Sequence, residues 1–357
     1  MKRVLAFDFG ASSGRAILAE YDGGTLTYKE VHRFENCPRE SEGHFRWDFN
    51  DLMANVRLGI EKAGAFDSIA FDTWGVDFGL LGEDGTLLGD PVHYRDGRTE
   101  GMTDKAFRTM DAGVLYAATG SQIMPINTLF QLLAVKESDP ETWSRAKRLL
   151  FMPDLFAHAL CGADACETTI ASTSQMLDAR TGAWSRSVLD AFGIPETLFA
   201  PLVKSGTVVG EYRGAKVVAA AGHDTQCAVA ALPAPDKDAA FLSCGTWSLL
   251  GCELDAPVLT DESRPSSSRT SAARTARSII SKTSSACGSF RRAADSGGAR
   301  GRSTRTPSSN SWRSRPSRCA ASSTPTRLSS RRRATSPAAC ASSAAAPGSP
   351  CPRPSAR

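Results

Sequence analysis

Residues 4–15 read Val-Leu-Ala-Phe-Asp-Phe-Gly-Ala-Ser-Ser-Gly-Arg, and this stretch decides the expected fold. The apolar run 4–9 predicts a buried strand, and the run 15–21 predicts a second strand after a turn of small residues. A third strand is predicted at 26–34, after a turn that contains two glycines. The chain therefore opens with three strands in a meander.

Helix and strand patterns alternate after this meander. Asp48 or Asn50 is suited to cap a helix that runs to about Ala63. Further strands are predicted at 68–73, 76–81 and 216–221, and helices at 129–161 with Pro140 and Pro153 as interruptions, at 184–192 and at 226–232. This alternation indicates an α/β fold built in layers.

The opening pattern recurs between residues 239 and 250. An apolar strand, a turn at Cys244-Gly245-Thr246 and a second apolar strand repeat the arrangement of residues 4–21. Two such units predict two similarly built domains that face each other across a cleft. The expected bounds are 1–233 for the first domain and 239–264 for the start of the second.

The formal charge of +4 at pH 7 conceals a break near residue 265. Residues 265–357 contain 17 Arg, one Lys and one acidic residue, whereas residues 1–264 carry a net charge of −13. Ser, Arg and Ala make up 59 of the last 93 residues, and hydrophobic periodicity is lost there. We therefore expect residues 265–357 to be disordered. The acidic first part is typical of a cytoplasmic enzyme, and it does not favour binding to nucleic acid or an anionic membrane.

Two interpretations of residues 265–357 compete, a natural basic tail and translation out of frame. The codons of Ala286-Cys287-Gly288-Ser289 permit Leu-Trp-Leu when they are read from the last base of each triplet. Phe290-Arg291-Arg292 permits Gln-Glu in the same register, after one residue. We favour a frameshift near Arg264. The alternative is a tail that binds nucleic acid or other polyanions non-specifically.

Targeting and metal-binding patterns are weak in the first part of the chain. No stretch approaches the roughly 20 apolar residues of a membrane span, and Asp8 interrupts the apolar start too early for a secretion signal. Six cysteines in residues 1–264 lack the paired spacing of a zinc site, so reduced structural thiols are expected.

The turn after the first strand has the composition of a phosphate-binding loop. Small residues from Ala11 to Gly14 let backbone N–H groups approach a phosphate, and Arg15 adds positive charge. Asp8, at the end of the strand, is suited to hold Mg²⁺ directly or through water. The alternative is an ordinary hairpin turn with an exposed Arg.

Polar residues separate two apolar strands at Asp72-Thr73-Trp74-Gly75-Val76-Asp77-Phe78. Gly75 lets the backbone approach a ligand, and Trp74 is suited to form a wall of a sugar pocket. The alternative is a core Trp beside a structural Gly.

Gly222-His223-Asp224-Thr225 lies at a predicted strand-to-helix junction, where ligands of α/β sheets gather. A carboxylate there can accept the proton of a hydroxyl that attacks a phosphoryl group. The alternative is that Asp224 caps the helix. The later turn gives Thr246 a place to contact phosphates from the opposite wall, or it is an ordinary hairpin.

Taken in order, these motifs resemble the FGGY carbohydrate kinases, and within them the rhamnulokinase branch. The stretches that carry the resemblance span nearly all of residues 1–264: Asp8–Arg15, Asp72–Phe78, Tyr94–Thr99, Asn127–Leu129, Met152–Asp154, His223–Thr225 and Gly245–Ser248. The resemblance implies an actin-like (ribonuclease H-like) ATPase fold, with two similar domains around a cleft and the second domain incomplete here.

The resemblance also implies a site. The implied ATP contacts are Ala11, Ser12, Ser13, Gly14, Arg15 and Thr246, and the implied sugar contacts are Gly75, His223, Asp224 and Thr225. Asp224 is the implied proton acceptor, and Asp8 is a candidate ligand of Mg²⁺. The implied reaction transfers the γ-phosphate of ATP to the 1-hydroxyl of L-rhamnulose in rhamnose catabolism.

Three alternatives stay open at this point: a kinase of fuculose, a kinase of xylulose, and a non-catalytic remnant whose basic tail binds polyanions. The family's further sugar and nucleotide contacts and its glycine-rich adenine-binding segment match nothing in residues 265–357. We therefore expect little or no kinase activity from the chain as given, and exposed apolar surface on the hairpin that opens the second domain.

Overall fold

A computed structural model describes residues 1–232, 239–244, 248–260, 268–272 and 278–284. All of these residues fall within the unit Met1–Arg291. Thr246 and most of the segment predicted to be out of frame lie outside the described residues.

The strands of the described residues are β1 (Lys2–Phe9), β2 (Ser13–Tyr21), β3 (Leu26–Glu35), β4 (Arg39–Ser41), β5 (His44–Arg46), β6 (Ser68–Thr73), β7 (Phe78–Leu81), β8 (Arg148–Phe151), β9 (Cys166–Glu167), β10 (Leu202–Val203), β11 (Val208–Tyr212), β12 (Ala215–His223), β13 (Ala240–Cys244), β14 (Ser248–Leu254), β15 (Ser268–Ala272) and β16 (Ser278–Ser284).

The α-helices of the same residues are α1 (Phe49–Ala63), α2 (Met102–Phe107), α3 (Ala112–Thr119), α4 (Thr128–Ser138), α5 (Pro140–Arg145), α6 (Met152–Cys161), α7 (Thr168–Ala171), α8 (Arg186–Phe192) and α9 (Asp224–Ala230). Short 3-10 helices lie at Gly97–Thr99, Ser172–Ser174 and Glu196–Leu198. In this part of the chain, each helix is too short or too polar to cross a membrane.

A six-stranded mixed sheet organises the fold, in the order β11-β12-β6-β1-β2-β3. The predicted meander is confirmed, because β1 pairs antiparallel with β2 and β2 pairs antiparallel with β3. β6 lies parallel to β1, and β12 lies parallel to β6. The carboxyl ends of three parallel strands therefore meet at one edge of the sheet, which is where α/β sheets bind ligands.

Helices cover one face of this sheet. Phe7 and Phe9 point toward that face and are completely buried, as the two-residue period of a strand requires. Phe156 of α6 stacks on Phe9 with 4.3 Å between ring centroids. Gly59 brings α1 so near that a Cβ there would lie 2.8 Å from the ring of Phe7. Asp8, between the two phenylalanines, points to the opposite face, which carries the site.

The prediction of a largely helical segment at 129–161 is wrong at one element. Pro140 begins α5 and Pro153 lies in the first turn of α6, as expected of helix starts. Arg148–Phe151, however, form β8, which pairs antiparallel with β7. A short apolar run fits a buried strand and a buried helix equally well, so periodicity alone could not separate them.

Two strands lie in the segment that composition predicts to be disordered. β15 and β16 extend the β13–β14 hairpin to a sheet of order β13-β14-β16-β15. Backbone N–H and C=O groups make these ladders, so a Ser-rich composition does not prevent the pairing. These two strands depart from the predicted disorder. The out-of-frame origin of the segment stays a prediction.

Candidate active site

A cleft of about 510 Å³ opens where the carboxyl ends of β1, β6 and β12 meet. Three carboxylates line it together with aromatic and amide side chains: Asp8, Asp72 and Asp224, and Trp74, Tyr94 and Asn127. The cleft thus combines a place for charge with a place for an uncharged polar ligand.

The three carboxylates come from three adjacent strand ends. Asp8 and Asp72 are direct neighbours across the β1–β6 pair, and Asp224 follows the last residue of β12. Burial raises the pKa of Asp72 well above its ordinary value, and the negative charges of Asp8 and Asp224 raise it further. This crowding of negative charge favours a bound cation or a retained proton.

Arg15 offsets part of this charge. It is the cross-strand partner of Asp8 in the β1–β2 ladder. Its Nε donates to Asp8 Oδ2 at 2.8 Å, and a second N–H of the guanidinium donates to the same oxygen. The side chain of Arg15 is nevertheless 46% exposed and lines the cleft, so it can contact an anion there as well.

The turn between β1 and β2 is held by Asn36. Asn36 Nδ2 donates to Gly10 O at 2.9 Å, and the backbone N–H of Asn36 donates to Ser12 O at 3.0 Å. Gly10 and Ala11 line the cleft. Three residues of the predicted phosphate loop lie beside the cleft rather than in its lining: Ser12, Ser13 and Gly14.

Asp224 is the first residue of α9 rather than its N-cap, which is His223. The carboxylate accepts the N–H of the adjacent Thr225 at 2.6 Å and the Thr225 hydroxyl at 3.2 Å. His223 Nε2 lies 3.4 Å from Asp224 Oδ1, and the Asp224 side chain is 37% exposed. All three residues line the cleft, so the carboxylate is placed to meet a ligand hydroxyl.

A buried carboxylate, Glu167, fixes the end of β12. Its Oε2 accepts the N–H of Gly222 at 3.0 Å, two residues before Asp224. The same oxygen accepts the N–H groups of Thr169 and Ile170 at 2.8 and 3.1 Å, which caps α7. Ser205 donates its hydroxyl to Oε1 at 2.6 Å. Glu167 therefore fixes the end of β12, next to Asp224, to buried residues of the core.

The loop after β6 forms another part of the cleft lining. A Cβ at Gly75 would lie 3.0 Å from Thr173 and 3.4 Å from the ring of His223, so Gly allows this close packing. Trp74 is only 5% exposed, and its ring lies 4.0 Å from that of Trp47. Because Trp74 also lines the cleft, it is a core residue and a wall at once.

Val76 has a backbone φ of +71°, which is strained for a β-branched residue. Hydrogen bonds hold it in place: its N–H donates to Thr173 Oγ1 at 3.0 Å, and its carbonyl accepts the Thr128 hydroxyl at 2.7 Å. Strain that is held from several sides is common in loops that face a ligand.

Several residues of this site have no assigned role from sequence. Asp72 and Asp77 stood inside a quoted motif, and Tyr94 and Asn127 stood in stretches that carried the family resemblance. The partners of these residues are far away in sequence, so no local sequence pattern predicted the contacts. Glu167 had no motif at all. Thr246 lies outside the described residues, so its predicted phosphate contact stays a prediction.

The cleft carboxylates are the candidate ligands of Mg²⁺. In the described part of the chain, no group of three or more His, Cys, Asp or Glu side chains is arranged to hold a metal ion. Mg²⁺ that accompanies a phosphate substrate commonly uses one or two carboxylates and takes its remaining ligands from phosphate and water. The cleft carboxylates fit that role, and they do not form a cage for a resident metal.

The profile of the FGGY family of carbohydrate kinases, N-terminal domain, matches residues 3–242. The chain belongs to this family. The match includes β12 as well as β1, β6 and α9, which supply the cleft carboxylates of this FGGY chain, and it ends before the change of composition at residue 265.

A curated relative is the rhamnulokinase of Yersinia pestis bv. Antiqua (strain Angola). It is 42% identical to this FGGY chain over 266 residues, which cover 71% of the chain and 55% of the relative. The chain thus spans about half the length of that relative.

Solved structures of similar fold are also sugar or polyol kinases. Ligand-bound xylulose kinase from Lactobacillus acidophilus has a TM-score of 0.70 at 18% identity, covering 79% of this chain and 59% of its own. Plasmodium falciparum glycerol kinase with ADP has a TM-score of 0.69 at 14% identity, covering 83% and 64%. A carbohydrate kinase from Novosphingobium aromaticivorans has a TM-score of 0.68 at 22% identity, covering 79% and 63%. The predicted actin-like ATPase fold is confirmed.

Proposed function

We propose that this chain carries the acceptor side of an ATP-dependent kinase that phosphorylates the 1-hydroxyl of L-rhamnulose. The observation that carries the proposal is the cleft itself, because three carboxylates at adjacent strand ends line it together with Trp74 and Tyr94. Phosphoryl transfer needs little covalent chemistry from the protein, and it depends on placing a nucleophile and offsetting charge. The cleft provides a place for each task.

The roles divide between the two substrates. Asp224 accepts the proton of the sugar hydroxyl as that hydroxyl attacks the γ-phosphate. Gly75, His223 and Thr225 contact the sugar. Mg²⁺·ATP is the second substrate. Asp8 and Asp72 face its cation, and its phosphates contact Arg15 and the turn from Ala11 to Gly14, of which Ala11 lines the cleft and the other residues lie beside it. Thr246, a further proposed phosphate contact, lies outside the described residues.

Substrate choice rests on the similarity to the Yersinia pestis rhamnulokinase, at 42% identity. The structures named xylulose kinase and glycerol kinase share the fold at below 25% identity, so the fold alone admits other acceptors. We propose L-rhamnulose first and a different ketose second. We also propose that the protein acts in the cytoplasm, where ATP and Mg²⁺ are present.

Calorimetric titration of the chain with L-rhamnulose, L-fuculose and D-xylulose, each with and without Mg²⁺·ATP, tests the acceptor. Tightest binding of L-rhamnulose supports the proposal, and a clear preference for another ketose replaces it with the second candidate. A chain that binds none of the three ketoses contradicts both.

Product analysis after incubation with Mg²⁺·ATP tests the chemistry. Any turnover should fall by about 10²–10⁴-fold in Asp224→Asn, while Asp104→Asn, at an exposed position of α2, serves as the matched control. The prediction of little or no activity from this chain is tested in the same assay. Turnover at about 1–100 s⁻¹, which is usual for kinases, would contradict it.

A further inference from the structure

One completely buried carboxylate, Asp77, supports the sugar-facing wall of the cleft. Its Oδ2 accepts the indole N–H of Trp47 at 2.7 Å and that of Trp74 at 2.9 Å. The same oxygen accepts the backbone N–H of Tyr94 at 3.2 Å. Three donors therefore converge on one oxygen, and two of them belong to residues that line the cleft.

The other oxygen of Asp77 is held by Gln131. Gln131 Nε2 donates to Asp77 Oδ1 at 3.1 Å and to Ile126 O at 2.9 Å, and it approaches Val76 O at 3.4 Å. Arg98 donates to Gln131 Oε1 at 2.7 Å. Arg98 thus fixes the amide with its NH₂ group toward Asp77, so the groups that contact both carboxylate oxygens are donors.

Three segments that are far apart in sequence meet at this carboxylate: the loop 74–77, the backbone at Tyr94 and the segment 126–131. Each of them supplies residues that line the cleft, namely Trp74 and Val76, Tyr94, and Ile126 and Asn127. A protonated carboxyl group would aim an O–H at a neighbour that also donates, which leaves a buried donor without an acceptor. The wall keeps its shape only while Asp77 accepts on both oxygens.

We propose that Asp77 is a positioning residue for sugar recognition, and that its ionised carboxylate holds together the wall of the cleft that the sugar contacts. This rests on the proposed function only in taking a ketose as the ligand. Removal of the carboxylate loosens Trp74 and Tyr94 against the sugar, and it leaves the contacts of Asp8 and Arg15 with the phosphates intact.

The groups that face Asp77 keep their own charge states over the pH range in which Asp77 titrates. Burial raises the pKa of Asp77 to about 6, and the hydrogen bonds and the charge of Arg98 act against this rise. Burial lowers the pKa of His93, whose ring centroid lies 4.3 Å from that of Trp47, to about 4. Burial raises the pKa of Tyr94. His93 and Tyr94 are therefore neutral, and Arg98 stays charged, across the range in which Asp77 gains its proton.

The first experiment compares L-rhamnulose binding and Mg²⁺·ATP binding in the full chain and in Asp77→Asn. Loss of positioning should weaken L-rhamnulose by about 10–100-fold and leave Mg²⁺·ATP binding unchanged. Adding Gln131→Glu to Asp77→Asn supplies an acceptor for the new amide and an ion-pair partner for Arg98, so part of the sugar affinity should return. Asp84→Asn is the matched control, because Asp84 contacts Thr86 in an exposed turn.

The second experiment needs no ligand. Amide hydrogen exchange, corrected for its intrinsic pH dependence, should accelerate at Tyr94 and in 74–78 in Asp77→Asn. The segment 167–170, which Glu167 holds, should not respond. If Asp77→Asn fails to fold, the same exchange measurement on Gln131→Ala, which removes the donor to Asp77 Oδ1, decides the matter.

The outcomes separate the two proposals. If hydrogen exchange in the wall accelerates in Asp77→Asn but the parent chain does not bind L-rhamnulose, the proposed substrate is wrong and the positioning role stands. The positioning role is wrong if the parent chain binds L-rhamnulose and a folded Asp77→Asn variant binds it as tightly, with unchanged amide hydrogen exchange. Equal weakening of sugar and Mg²⁺·ATP would also overturn it, because that result indicates general loss of structure.

Discussion

Replacement of Glu167 should show how strongly the end of β12 depends on one buried carboxylate. In Glu167→Ala the N–H groups of Gly222, Thr169 and Ile170 lose their acceptor. Loss of the α7 cap costs about 1 kcal/mol, and an unsatisfied buried N–H at Gly222 costs about 2 kcal/mol. The lost hydroxyl bonds to Ser205 and Thr169 add about 1 kcal/mol. The expected loss of unfolding free energy is about 4 kcal/mol, the sum of these terms.

Glu167→Gln should cost much less. One amide oxygen can occupy the position of Oε2 and keep the three backbone donors satisfied, while the new NH₂ group faces the Ser205 hydroxyl, which can turn to accept. The remaining loss is the difference between charged and neutral acceptors, about 1 kcal/mol. The contrast between the Ala and Gln variants therefore isolates the backbone donors.

Urea unfolding followed by circular dichroism measures both values. With an m-value of about 3 kcal/mol/M, the midpoint should fall by more than about 1 M for Glu167→Ala and by about 0.3 M for Glu167→Gln. Glu141→Ala is the control, since that side chain is 81% exposed on α5. An Ala variant within about 1 kcal/mol of the Gln variant would refute the reasoning.

Three further outcomes are expected. Gly14→Ala should lower the unfolding free energy, measured by thermal melts, by about 1–3 kcal/mol, because its Cβ would lie 2.2 Å from the Phe34 ring. Gly24→Ala is the control and should be near neutral, because a Cβ there would meet nothing within 4 Å. The pKa of Asp77 is about 6 in the folded state and about 4 in the unfolded state. Between about pH 4 and 6 the folded state therefore binds more protons than the unfolded state. Its contribution to the unfolding free energy therefore falls by up to about 3 kcal/mol as the pH rises from about 4 to 6, and Asp77→Asn should remove that slope in urea titrations. Sequencing of the codons for residues 255–300 should reveal a single-base shift that restores Leu-Trp-Leu-x-Gln-Glu; an unshifted natural frame would leave the basic tail as the better interpretation.

The elements around the site followed from local pattern. The run 4–9 predicted β1 within about two residues, and Asp48 caps α1 as expected. Bounds were less well predicted where polarity changes gradually: β2 begins at Ser13 rather than 15, and α9 begins at Asp224 rather than 226. A strand or helix needs only its own periodicity and its turn residues, which the sequence displays directly.

By itself, the sequence determined the opening meander, several of the strands and helices that carry the motifs, and the family resemblance. The tertiary structure alone decided which groups meet. Glu167 reaches Gly222 across 55 positions, and Gln131 reaches Asp77 across 54. It also decided that Asp77 receives only donors and that Val76 adopts a positive φ. Buried polar groups must find partners wherever the folded chain brings them, and that choice depends on the packing of the whole sheet rather than on any local pattern.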